Sequence, residues 1–385
     1  MSNIDNAERI LRERLLEDNG QWVSRYGSQE LGGAAVMAAA FSEFAGQEYA
    51  KAIYDEEDAK KMGKALLIMG SGQGIVGATF GIVGTGKTDF GELLPRVIAG
   101  NTPETHAHIP HTSDVTAAKI VGDSATIEKR TSKNGEVSIE EYMGIVKSLI
   151  TKDTKSVLFD EINRTNPEAL NAVLNFLRDG KIDIFTPEGI RQTDVMDVIL
   201  AAFNHYGALH TFKFDPAVVS RFALAVRLGK KDPNRMVSTV ASKIIHENRA
   251  NSQDKDIDPV ISRRNLHFLR DTIPEIGISD SVRFLIELAA GQINKTFENF
   301  NVHMGDPRIA RQFMRSVPAL ALLDGRSEAT ASNVFDAAEL ILNKLGAFVE
   351  FDPAAGPDSE DSLEFHVYET LDKTAHIFRK VENGR

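Results

Sequence analysis

The segment Gly81-Ile82-Val83-Gly84-Thr85-Gly86-Lys87-Thr88 restricts the fold of this chain more than any other stretch. It has the spacing G-x-x-x-x-G-K-[ST] and follows an apolar run, Ile75 to Phe80, that reads as a buried strand. Gly81, Gly84 and Gly86, with Thr85 between them, let backbone N–H groups turn inward around phosphate at a helix N-terminus, where the helix dipole also favours anions. Lys87 then neutralises the β- and γ-phosphates, and the Thr88 hydroxyl meets Mg²⁺. The segment predicts strand, phosphate loop and helix in succession, with ATP and Mg²⁺ as ligands. The earlier run Gly70-Ser71-Gly72-Gln73-Gly74 has no Lys-Thr after it and reads as a plain loop.

Short apolar runs recur after the loop, with helical segments between them. Ser156 to Phe159, Val198 to Phe203 and Ala223 to Val226 each give way to polar residues, the pattern of a parallel α/β sheet. The first two end in chemistry. Asp160 at a strand tip can hold Mg²⁺ through its water shell, and Glu161 beside it can polarise an attacking water. Asn204 ends the next strand with a neutral amide suited to orienting that water.

Helical spacing marks Ala7 to Glu17, the Ala-rich Leu31 to Ile53 and Asp58 to Leu67 ahead of the loop. After Lys230 the strands stop and helical periodicity continues to about Leu345, which predicts a separate all-helical unit. The stretch from Glu350 to Glu364 is rich in Pro, Gly, Asp and Glu and reads as a solvated linker, with one more helix over Phe365 to Val381. The expected organisation is an N-terminal extension (1–24), an α/β nucleotide-binding core (25–229), a helical lid (230–349) and an acidic linker with C-terminal tail (350–385).

Composition narrows the partners. With 44 basic and 55 acidic side chains the chain of 385 residues carries a net charge of -11, which repels nucleic acid and anionic lipid and favours protein partners. The absence of cysteine removes disulfides and thiolate chemistry and fits a cytoplasmic setting. The start Met1-Ser2-Asn3-Ile4-Asp5 lacks a basic region ahead of an apolar stretch, so no secretory signal is expected, and no apolar tract is long enough to span a bilayer.

The order of phosphate loop, Asp160-Glu161, polar strand end and helical unit resembles that of the AAA+ ATPases. Within them the chain resembles the MoxR-type group, through Phe159-Asp160-Glu161-Ile162-Asn163-Arg164, Ser220-Arg221-Phe222, Gly305-Asp306-Pro307-Arg308 and Ala319-Leu320-Ala321-Leu322-Leu323-Asp324-Gly325-Arg326. The likeness runs from about Ala65 to Leu345. It implies an AAA+ parallel sheet flanked by helices, followed by an all-helical lid. It implies that Asn204 is the sensor-1 residue, that Arg221 is an arginine finger extended to a neighbour's ATP, and that Arg308 is the sensor-2 arginine reaching back from the lid. A homo-oligomeric ring, usually hexameric, follows, as does a protein client. In this group the client is often a protein with a von Willebrand A-type metal-ion domain or a component of an assembly machine. The resemblance also places insertions at Gly122 to Ile145 and Phe185 to Asp197, facing partners or the pore. Adenine contacts are assigned to Tyr26 to Leu31, within an N-terminal lead-in longer than the family's.

Other features weigh against rival readings. His106, His108 and His111 contain a His-x-His pattern, but the segment reads as the second core strand, so a structural role is expected and no zinc site. Lys230-Lys231 and Arg263-Arg264 are too short for a nucleic-acid patch, and the latter pair are candidates for inter-subunit contacts without a motif of their own. The rivals are an assembly scaffold with little turnover and a McrB-type nucleotide-driven nucleic-acid motor. The joint presence of Lys87, Asp160, Glu161, Asn204, Arg221 and Arg308 favours an active ATPase.

Overall fold

In a computed structural model the described residues are 34, 35, 37–39, 41–43, 45, 56–71, 76–81, 87–99, 102–110, 116–133, 136–146, 148–164, 170, 176–186, 189–204, 214, 216–228, 259–349, 351 and 358–383. The expected helix over Ala7 to Glu17 and the assigned adenine contacts at Tyr26 to Leu31 lie outside them, as do His111 and loop residues 82–86.

The strands are β1 (Val76–Gly81), β2 (Ile98–Ala99), β3 (His106–Pro110), β4 (Asp123–Lys133), β5 (Glu136–Val146), β6 (Ser156–Asp160), β7 (Asp183–Thr186), β8 (Gly189–Gln192), β9 (Val198–Asn204), β10 (Phe222–Leu228) and β11 (Ile261–Ser262). The helices are α1 (Glu56–Ser71), α2 (Lys87–Leu93), α3 (Ala117–Val121), α4 (Phe176–Asp179), α5 (Pro216–Val219), α6 (Arg263–Thr272), α7 (Asp280–Asn299), α8 (Asp306–Leu323), α9 (Ala331–Leu342) and α10 (Leu363–Asn383).

Five strands form one sheet in the order β10-β1-β9-β6-β3, every neighbouring pair parallel. A parallel sheet is covered on both faces, so its central strands must be apolar throughout rather than alternating. β1, β6 and β9 are buried at every position, which is why their sequences read as continuous apolar runs. Phe80, Phe203 and Phe222 stack across three neighbouring strands, with ring centroids 5.6 Å apart for the first pair and 6.3 Å for Phe203 with Phe222. From β1 the chain crosses to the far edge at β3, returns through β6 and β9, and ends beyond β1 at β10. That reversal of direction opens a crevice at the carboxyl ends of the strands, where ligands of open α/β sheets bind.

Two hairpins are spliced between core strands. β4 and β5 form an antiparallel ribbon from Asp123↔Val146 to Lys133↔Glu136, ending one residue beyond the expected insertion at Gly122 to Ile145. Its two ends are fastened together at the root: Ser148 Oγ donates to Ile120 O, and Leu149 N donates to Lys119 O at 3.0 Å. β7 and β8 pair from Asp183↔Gln192 to Thr186↔Gly189 and form the second hairpin.

The helical unit packs α7 against α8, α9 and α10, with Leu285, Ile293, Phe297, Val334 and Ile341 in its interior. The C-terminal helix α10 belongs to this bundle, and the Thr296 and Thr370 hydroxyls are 2.7 Å apart across it. Ser262 caps α6, its hydroxyl accepting from Asn265 N at 3.2 Å.

Two local expectations are corrected. Gly70 and Ser71 continue α1 instead of opening a loop, because α1 passes close to α6: a Cβ on Gly70 would lie 3.0 Å from Leu266 Cδ1. Strands do not stop at Lys230, since β11 pairs with β2. Arg263 makes a contact within the chain: its Nε lies 2.9 Å from the buried Asp197 Oδ2, and Arg270 reaches Asp197 Oδ1 at 3.4 Å. These pairs fix α6 beside the start of β9.

Candidate functional site

The end of β1 delivers Gly81, and α2 begins at Lys87. Lys87 is only 9% exposed and its ammonium donates to Gly81 O at 3.1 Å, back across the mouth of the loop. Burial pushes its pKa down to about 8, against the opposing pull of Asp160 and Glu161. The cation is thus held beside the strand ends at some cost, ready for an anion that would restore its charge. Gly91, one turn further on, lets α2 lie on β6, since a Cβ there would fall 2.5 Å from Leu158 Cδ1.

Thr88 donates its hydroxyl to Asp160 Oδ2 at 2.9 Å. A hydroxyl and a carboxylate this close together at the strand ends are hard oxygen donors of the kind that would hold Mg²⁺ directly or through its waters. The donor set therefore fits Mg²⁺, which takes few protein ligands and keeps waters. Among the described residues no group of three or more His, Asp or Glu is placed to hold another kind of metal.

Asp160 is also approached from β3. His108 Nε2 lies 3.5 Å from Asp160 Oδ2, and His108 Nδ1 lies 3.0 Å from Glu92 Oε1 on α2. Burial opposes ionisation of Asp160, but the nearby His108 and the Thr88 hydrogen bond outweigh it and hold the carboxyl below its ordinary pKa. The Asp160 carboxylate likewise raises His108 above the usual histidine value, in spite of its partial burial. His106 differs: burial and the neighbouring His108 push it down to about 4, and its Nδ1 sits 2.9 Å from Ser156 Oγ. His106 is thus a neutral strand residue, whereas His108 belongs to the surroundings of Asp160. Sequence inspection missed the link from His108 and Glu92 to Asp160. It depends on β3 pairing with β6, which places His108 opposite Leu158 and Pro110 opposite Asp160.

Glu161 leaves the strand with φ 51°, in the left-handed region that costs a non-glycine residue roughly 1–2 kcal/mol. The turn swings its carboxylate off the strand line onto Arg164, at 2.9 Å. Asn163 is buried and donates Nδ2 to Asn204 O at 2.9 Å, tying the turn after β6 to the end of β9. Register places Asn204 beside Gly81. Lys87, Thr88, Asp160, Glu161 and Asn204 therefore gather at one end of the sheet.

Arg221 and Arg308 do not join them. Arg221 precedes β10, whose first residue Phe222 pairs with Val76, whereas Leu228 pairs with Gly81. The rise of an extended strand puts this end about 16 Å from the phosphate-loop end. Arg221 donates to Ala217 O, and Arg308 on α8 donates to Ser220 Oγ, so both guanidiniums stand at the amino end of β10.

A parallel sheet in this order, a Lys-Thr helix start at its carboxyl edge, a strand-end Asp-Glu pair and a helical bundle after the last strand define an AAA+ P-loop core followed by a helical lid. Residues 80–222 match the AAA domain family, dynein-related subfamily. The chain is 23% identical over 247 residues to the uncharacterized protein YeaC of Bacillus subtilis (strain 168), an alignment covering 64% of this chain and 69% of that protein. A crystal structure from Cytophaga hutchinsonii, provisionally named an ATPase, superposes with a TM-score of 0.58 at 17% identity, covering 82% of this chain and 91% of the other. That likeness is one of fold. Among the described residues no helix is long and apolar enough to cross a membrane.

Proposed function

We propose that this chain is a MoxR-type AAA+ ATPase that works as a cytoplasmic homo-oligomeric ring, hexameric by family habit, and couples Mg-ATP hydrolysis to remodelling or assembly of a protein partner. The observation that carries this reading is the division of cationic groups between the two ends of one sheet. Lys87 stands with Thr88, Asp160, Glu161 and Asn204 at the carboxyl edge, while Arg221 and Arg308 stand about 16 Å away at the amino end of β10. A fixed cation stabilises the charge that spreads over a transferred phosphoryl group. These arginines meet such a charge only on a neighbouring subunit.

In this mechanism residues 81–88 wrap the phosphates and Lys87 neutralises them. Bound Mg²⁺, held by Thr88 and Asp160, supplies further charge neutralisation. Glu161 leaves Arg164 and accepts a proton from a water oriented by Asn204. That water attacks the γ-phosphorus, the bond to the bridging oxygen breaks, and ADP and inorganic phosphate result. Arg221, with Arg308 beside it, closes the site from the adjacent subunit, so hydrolysis loosens the ring and moves the lids. The MoxR-type strings point to a client bearing a von Willebrand A-type domain or to a component of an assembly machine.

The test is steady-state turnover per subunit against protein concentration, with mass measured alongside. Turnover is expected to rise with assembly and to be negligible in the monomer; a fully active monomer would overturn the shared site. The state of Lys87 adds a pH dependence. Its pKa of about 8 in the free protein rises when phosphate arrives, so nucleotide affinity is flat below pH 8. Above that pH affinity falls by up to about tenfold per unit, with one proton taken up on binding. Calorimetry in buffers of different ionisation enthalpy reads that proton directly.

A further inference from the structure

Lys344 is 0% exposed, and among the described residues its two hydrogen-bond acceptors are neutral oxygens: Phe222 O at 3.2 Å and Gln312 Oε1 at 2.5 Å. An ammonium buried without a carboxylate is expensive, and an apolar side chain of the same length would fill the space more cheaply. The neighbouring bonds show what the lysine does. Gln312, 5% exposed on α8, spends both amide hydrogens on the main chain, donating Nε2 to Ser220 O and to Phe222 O at 2.9 Å each. Those carbonyls belong to the residues on either side of Arg221. The two carbonyls only accept, so they take the amide with Nε2 toward them, and the Lys344 Nζ donating to Oε1 reinforces that orientation. Two parts of the lid, α8 and the turn after α9, thereby grip the backbone immediately before and after one arginine.

We infer that Gln312 and Lys344 are positioning residues for Arg221. They make the placement of that guanidinium a property of the lid, so that whatever moves the lid of one subunit moves the arginine it presents to the next. This rests on the reading of Arg221 as a group acting on a neighbour's nucleotide. The arrangement exceeds what attachment of the lid requires, because α6 is already joined to the core through Arg263, Arg270 and Asp197. It also explains why a polar trio sits where an apolar contact would hold two surfaces together.

Gln312→Glu separates positioning from attachment. The carboxylate still receives Lys344, now as an ion pair, but it has no hydrogen to give Ser220 O and Phe222 O. In the assembled protein this variant is expected to lower ATP turnover by about 100-fold, the order of loss that follows a misplacement near 1 Å. Nucleotide affinity of the isolated protomer should stay within about twofold, because the phosphate-loop end lies about 16 Å away. The decisive comparison is with Arg221→Ala. If Gln312 acts through Arg221, adding Gln312→Glu to Arg221→Ala lowers turnover no further. An equal fold-loss in both backgrounds, or a parallel loss of protomer affinity, overturns the inference while leaving the shared site standing. Full turnover by Arg221→Ala alone overturns both. Should Gln312→Glu fail to fold, Lys344→Met, which removes the donor that reinforces the amide's orientation, is put through the same cycle with the same expectations.

Discussion

Exchange of Glu161 for glutamine is expected to abolish steady-state ATP turnover, by about 10²–10⁴-fold, while leaving nucleotide binding intact. The amide keeps the size and the left-handed turn of the glutamate but cannot take a proton from water. It also loses the ion pair with Arg164 at 2.9 Å, which is about a third exposed on each side and contributes little to stability. The measurement is a comparison of turnover with equilibrium binding of a fluorescent ATP analogue, read in the same assembled state. Turnover within a few-fold of wild type would remove Glu161 from the chemistry and shift attention to another base. Retained binding without turnover would make this variant the form in which to seek a client, since its ring should persist with ATP bound.

Arg221→Ala should produce a loss of comparable or greater size, about 10³-fold, the order that a trans-acting arginine contributes to phosphoryl transfer. On the shared-site reading the defect differs in kind, because the missing group acts in the neighbour's site. Mixing Arg221→Ala subunits with Lys87→Ala subunits, each inactive alone, should therefore restore part of the activity. Some interfaces in the mixed ring join an intact Lys87 to an intact Arg221. Absence of any recovery in a ring shown by mass to contain both kinds of subunit would place Arg221 in its own subunit's structure and not in the neighbour's site.

The parts of this site legible in the sequence are those set by chain-local patterns. Apolar runs ending in Asp160, Glu161 and Asn204 announce strand tips, since a strand buried on both faces has little room for such groups before its end. What the sequence does not display is which strand lies beside which. His108 reads as a strand histidine until β3 is seen to pair with β6, and only then does it stand next to Asp160. The lid raises the same difficulty. The string Gly305-Asp306-Pro307-Arg308 marks the start of a helix carrying an arginine, but which end of the sheet that helix meets is decided by long-range packing. The structure brings Arg308 to Ser220, away from Lys87 in the same chain. Arg263 was similarly ambiguous: a surface arginine and one bonded to a buried aspartate look alike until Asp197 is placed.

The ribbon formed by β4 and β5 leaves the core and returns to it at a single fastened point, where Ser148 and Leu149 bond back to Ile120 and Lys119. Its length is consequently independent of the spacing between β3 and β6, and hence of the distance from Thr88 to Asp160. Such a ribbon can lengthen or shorten and leave the strand ends beneath it untouched. What the ribbon touches and what Thr88 and Asp160 hold are thus free to change separately.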